Sequence, residues 1–120
     1  MKKEIKLGVS DKQKLFRAYV EMLQPVLKLR NREADVFAQL LYLNDEKKEL
    51  PEVDRFEIIF STRYRKMILD NLNMKDASLQ NCFSELRKKK LIVNNTIRKD
   101  YWVHPDDKGL SIVFNLKVNE

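Results

Sequence analysis

Two glycines, one cysteine and one histidine in 120 residues remove several kinds of chemistry at once. A loop that cradles phosphate needs several positions without a side chain, so a glycine-rich nucleotide loop is excluded. Cys82 alone cannot form an internal disulfide, and no Cys/His spacing suits zinc. His104 lies beside Trp102 and Pro105 and reads as a ring satisfied by its surroundings rather than a general base. No cysteine or serine is placed to complete a nucleophilic pair. Asp106-Asp107 sits between Pro105 and Gly109, where paired carboxylates are ordinary turn chemistry. The expectation is a protein that is not an enzyme and needs no cofactor or metal. No apolar run approaches the roughly 20 residues of a membrane span, so no membrane partner is expected. The opening Met1–Gly8 lacks the apolar stretch of a secretion signal. A cytoplasmic location is expected, meaning the host cytoplasm or the virion if the chain is viral.

What is present is charge, unevenly placed. The formal net charge is +6, and 43% of residues are hydrophobic, enough for one modest core and a single domain over 1–120. Residues 1–30 hold eight Lys/Arg against three Asp/Glu, 31–60 four against eight, 61–90 eight against three, and 91–120 four against four. A basic element next to an acidic block is the electrostatic footprint of a nucleic-acid reader, although solubilising charge has the same composition.

Residues 1–9 alternate at Ile5, Leu7 and Val9, as a short strand, an ordered arm or a frayed basic tail would. Ser10 or Asp11 is placed to cap a helix with the stripe Leu15, Phe16, Tyr19, Met22 and Leu23, ended or bent at Pro25. That stripe is core, or, through Phe16, Tyr19 and Leu23, a dimer surface. Asn31 is placed to cap a second helix, whose buried side is Val36, Phe37, Leu40, Leu41 and Leu43. After a charged loop, Arg55–Phe60 has strand composition. The last 27 residues read as strands at Ile97–His104 and Leu110–Val118, turning at Pro105–Gly109. With the strand near Ile58 they would make a small three-stranded antiparallel sheet.

The stretch Ser61–Ile92 organises the rest. Ile68 and Leu72 form an i, i+4 pair behind a Ser61 cap, and Asn73 can take the left-handed conformation that closes a helix. Asp76 then caps a helix with Leu79, Phe83 and Leu86 on one face and Ala77, Gln80, Asn81, Ser84 and Lys88 on the other. Two short helices around a tight turn make a helix-turn-helix. Amide side chains can read adenine edges, and Arg or Lys can reach guanine or phosphate. The cations Arg87-Lys88-Lys89-Lys90 suit a helix dipole equally well.

The order helix, helix, strand, helix, turn, helix, strand, strand resembles the winged helix-turn-helix superfamily. The resemblance is carried by Ile68-(x3)-Leu72-Asn73-Met74 and by Ser78-Leu79-(x3)-Phe83-(x2)-Leu86 running into the basic run and Leu91-Ile92. The second pattern is similar to that of MarR-like regulators and of phage and plasmid replication initiators. Tyr101-Trp102-Val103-His104-Pro105 looks like the end of a wing strand in the initiators, with His104 where they carry Asn. Asn73 and Lys90 stand where the family usually has glycine. The resemblance implies an α+β, mainly α, winged helix-turn-helix: an arm at 1–9, the helix-turn-helix at 61–90 and wing strands at 91–118. It implies a groove-facing set of Ser78, Gln80, Asn81, Ser84 and Arg87. Phosphate contacts would fall to Lys75, Lys88, Lys89, Arg63 and Arg65, and wing contacts to Arg98, Lys99 and Lys108.

The leading expectation is a protein that binds double-stranded DNA with helix 77–89 in the major groove, as a transcriptional regulator or replication factor, and as a homodimer if two half-sites are read. The alternative is a phage structural or virion-associated assembly protein that uses the same fold against a protein partner. The acidic 45–57 block, the acidic Asp106-Asp107 turn and the aromatics Tyr101 and Trp102 favour that alternative.

Overall fold

The computed structural model describes residues 2–7, 11–106 and 110–115. Their order is β1 (Lys2–Leu7), α1 (Lys12–Leu27), α2 (Asn31–Glu46), α3 (Glu52–Ile59), α4 (Thr62–Leu72), α5 (Asp76–Lys88), β2 (Ile92–Val93), β3 (Thr96–Ile97), a 3-10 turn (Lys99–Tyr101) and β4 (Leu110–Asn115). The described chain is thus mainly helical, with small antiparallel sheets.

Helices α1 and α2 run antiparallel, as their polar cross-links show: Lys12 meets Asp45, Gln13 meets Gln39, and Arg17 meets Asp35. Asp11 caps α1 by accepting from the backbone N–H groups of Gln13 and Lys14. Pro25 does not end α1, which continues to Leu27. Leu15, Phe16 and Tyr19 are buried, as are Val36, Phe37, Leu40, Leu41 and Leu43 of α2. The stripe expected as a possible dimer surface is therefore core: Phe16 and Tyr19 are buried within the chain, and Leu23 packs against the same cluster. Asn31 is the first residue of α2 rather than its cap, which falls to Arg30 in an extended conformation.

The segment expected as a strand, Arg55–Phe60, is helical. Its burial follows a helical rather than a strand period: Arg55, Phe56 and Ile59 are buried while Glu57 is exposed. Pro51 ahead of the first turn and the acids Glu52 and Asp54 within it are a helix-start signature that outweighs the Phe/Ile composition. The three-stranded sheet is consequently absent among the described residues. The expected Ile97–His104 strand is only Thr96–Ile97, after which the chain enters the 3-10 turn.

Strands β2 and β3 pair with each other through Asn94-Asn95, both left-handed at φ 52° and 54°. Two left-handed residues in a two-residue loop define the type I′ hairpin, whose twist matches its strands. The Trp102 indole donates to the Ile97 carbonyl at 3.0 Å, covering part of the hairpin's outer edge. Trp102 also packs on Phe56 at 5.6 Å and Tyr101 on Phe37 at 6.1 Å, so both aromatics are partly buried against the core.

Leu110–Asn115 does not fold back on Ile97–His104 as expected. It pairs antiparallel with β1, from Lys2↔Asn115 to Leu7↔Leu110. Residues 116–118 of that expected strand, and the 107–109 part of the expected turn, lie outside the described residues. In the helical body, the fully buried Asp45 carboxylate receives Lys12 at 3.3 Å and His104 at 2.9 Å, with Lys48 at 3.7 Å. Burial pulls the Lys12 ammonium down, and the Asp45 charge and hydrogen bond more than offset it, leaving it above its ordinary value.

Candidate nucleic-acid interface

The helix-turn-helix stretch folds as α4, a three-residue turn and α5. Ser61 caps α4 by accepting from the Tyr64 N–H. Asn73 closes it at φ 49°, with Met74 N–H donating to Leu69 and Asn73 N–H to Asp70. This is a Schellman closure, and α5 ends the same way: Lys90 sits at φ 63°, Leu91 N–H donates to Leu86 and Lys90 N–H to Arg87. Both places where the winged-helix resemblance would put glycine are thus left-handed. Asp76 is the first residue of α5 rather than its cap, which is Lys75 in an extended conformation.

Ile68, Leu79, Phe83 and Leu86 are buried and anchor the pair of helices, each contributing about 1.5–3 kcal/mol of burial. The opposite face of α5 is open: Ala77, Ser78, Gln80, Asn81, Arg87 and Lys88 are exposed, and Ser84 is half-buried. Arg65 from α4 lies over one part of the Phe83 ring at 5.5 Å, and Arg87 lies at 5.7 Å from the same ring. Arg65 also donates to Asp76 at 2.8 Å and to Gln80 at 3.2 Å. That hydrogen bond, with its charge, holds the Asp76 carboxyl below its ordinary range, so the acid at the start of α5 stays ionised and paired. Gln80 keeps its amide N–H groups for a ligand while its oxygen is engaged by Arg65.

The expected phosphate contacts divide. Among the described residues, Arg63, Lys75 and Arg87 make no ion pair, and Lys88 makes only an exposed one to Glu85 at 3.1 Å. Lys90, the last cation of the expected basic run, and Lys66, which the sequence reading did not single out, are also exposed and without an ion pair among the described residues. Lys89 is committed elsewhere: its ammonium donates to the carbonyls of Leu27 and Lys28 at 3.2 and 2.9 Å, at the end of α1. Arg98 pairs with Asp100 and lies over Tyr101, and Lys99 pairs with Glu52 and lies over Trp102. Lys108 lies outside the described residues. The hairpin tip is the uncharged Asn94-Asn95 rather than Asp106-Asp107, which removes the electrostatic objection to its approaching phosphates.

Among the described residues no group of His, Cys, Asp and Glu is arranged to hold a metal ion, and no helix is long and apolar enough to cross a membrane. Comparison with protein-family models, curated proteins and solved structures returns no match, so the chemistry of this face is argued from the chain's own residues.

Proposed function

We propose that the chain is a winged-helix protein that binds double-stranded DNA, with α5 in the major groove and the β2–β3 hairpin as the wing. The observation that carries the reading is the outer face of α5. It presents Ser78, Gln80 and Asn81 in its N-terminal half and Arg87 and Lys88 in its last turn, all exposed. Hydrogen-bonding groups ahead of cations on one exposed helix face suit base edges flanked by phosphates. Arg65 supports the arrangement by bridging Asp76 and Gln80 across the turn. Transcriptional regulation or a replication role fits a small reader of this kind.

The test is fluorescence anisotropy with mixed-sequence duplex DNA from about 50 to 200 mM salt, on the native chain and on Arg87→Glu/Lys88→Glu. The expected result is an affinity that falls steeply with salt and is lost in the double variant. No binding at the lowest salt, with the circular dichroism spectrum intact, overturns the reading.

A second reading, an assembly protein of phage type that binds another protein, is favoured by one observation. Val26, Val53 and Val93 are large hydrophobic residues left exposed away from the outer face of α5.

A further inference from the structure

We infer that the trough between α3 and the β2–β3 hairpin, continued past Arg98 to the end of α1, is a docking site for an acidic peptide segment that carries aliphatic or aromatic side chains. The inference goes beyond the DNA reading and rests on residues other than the outer face of α5.

The trough has two lobes that meet at Arg98. One, of about 390 Å³, is lined by Phe56, Val93, Ile97 and Trp102. The other, of about 330 Å³, lies against Val26, Leu27, Leu91 and Tyr101. Val26 is 70% exposed and Val93 45% exposed, one in each lobe. Side chains of this kind gain by being covered, at about 25 cal/mol per Å² of apolar surface.

Charge selects what covers them. The two lobes are bordered by Lys28, Lys89, Lys90, Arg98 and Lys99, and by a single acid, Glu52. Lys28 and Lys90 have no ion-pair partner among the described residues. The Lys99–Glu52 and Arg98–Asp100 pairs lie at the exposed surface, where an ion pair is worth up to about 1 kcal/mol, so an incoming carboxylate can take over either cation. Lys89 is already bound to the α1 carbonyls and adds only background charge. Excess cations around a low-dielectric hollow attract anions.

A duplex satisfies only half of this surface. Phosphates would meet the cations but lose hydration against Val26, Val93 and Trp102. A peptide satisfies both halves, with carboxylates on the cations and an apolar anchor in the hollow. The neighbouring hollow along α3, about 480 Å³, carries Glu52 and Glu57 and no cation. That gradient sets the direction: acidic residues toward Lys28 and Arg98, apolar residues toward Phe56.

The test is an unbiased display selection of random peptides of about a dozen residues on the purified chain, followed by anisotropy with the selected peptides. Enriched sequences are expected to combine Asp or Glu with Leu, Ile, Phe or Trp, and to shift backbone amide resonances of Val26–Lys28 and Val93–Lys99. Val93→Glu, and separately Lys28→Glu/Lys90→Glu, should weaken binding about tenfold or more while Arg87→Glu leaves it unchanged. All these side chains are exposed, so circular dichroism should stay native. No enrichment, enrichment of basic or purely polar sequences, or affinity indifferent to the trough variants overturns the inference. So does mixed-sequence duplex DNA shifting the Val26–Lys28 resonances, which lie outside the proposed wing, and competing with the selected peptides, which would make the trough part of the DNA site. Failure of DNA binding in the anisotropy test leaves these outcomes unaffected.

Discussion

The Lys89 ammonium lies 2.9 Å from the carbonyl oxygen of Lys28 and so ties the end of α5 to the end of α1. Its neighbour Lys88 points into solvent with only Glu85 beside it. Adjacent residues of one basic run therefore do different jobs. Lys89→Met, which keeps the stem and removes the donor, should cost about 1–2 kcal/mol in a urea melt, since hydrogen bonds to charged groups contribute on that order. Its salt dependence of DNA binding should match the native chain. Lys88→Met should do the reverse, with unchanged stability and a salt slope lower by about one. The two effects exchanged between the variants would refute this division of labour.

Lys90 carries a side chain in a conformation that costs a non-glycine residue about 1–2 kcal/mol. Lys90→Gly is expected to stabilise the fold by about 1 kcal/mol, read as a rise in Tm. Asn73→Gly should gain less, because Asn tolerates the left-handed region better than Lys. Equal or opposite effects would mean that the closing turns are held by something other than backbone geometry.

Tyr19 gives a pH signature. Burial, with Tyr101 nearby, pushes its phenol from 10.0 up to about 12, and its hydroxyl donates to the Tyr101 carbonyl at 3.1 Å. Between those values the folded chain keeps a proton that the unfolded chain has lost. The stabilisation is therefore whole below pH 10 and is lost as pH rises through about 12. Tyr19→Phe should cost about 1 kcal/mol at neutral pH and flatten that alkaline limb. A limb unchanged in the variant would assign it to other groups.

On the proposed DNA face, the Asn81 side chain is exposed with no hydrogen bond to the described residues, whereas Gln80 is held by Arg65. Asn81→Ala should reduce discrimination between the preferred site and a single-base variant by about 1–3 kcal/mol. Lys75→Ala should weaken all sequences alike. Competition assays with paired duplexes distinguish the two, and a uniform loss with Asn81→Ala would remove it from base reading.

Where the signal was local, the sequence was legible. The stripes of α1 and α2, the Ser61 cap, the Asn73 turn and the two faces of α5 all depend on residues within a turn or two of one another. The strand expected at Arg55–Phe60 failed because side-chain composition was weighed above Pro51 and the acids that follow it. The Asn94-Asn95 hairpin carries a readable signal, two residues suited to positive φ, inside the span 91–118 where only wing strands are expected. Expecting caps at Asn31 and Asp76 put each one residue inside its helix. Lys89 could not be placed from its neighbours, because its partners belong to α1, far away in the chain. The pairing of β4 with β1 was hidden for the same reason.

That pairing has a kinetic consequence. Lys2 opposite Asn115 closes a loop spanning nearly the whole chain, and the entropic cost of such closure is met before any contact within the ribbon offsets it. The helices, joined by short connections and local hydrogen bonds, have no such delay. Asp45 holds Lys12, which follows β1 in the chain, and His104, which precedes β4, and so ties the helical body to the segments that lead into both strands. In native-state hydrogen exchange, the amides of β1 and β4 should open at lower free energy than those of α2 and α5. Asp45→Asn should accelerate exchange in the ribbon more than in the helices.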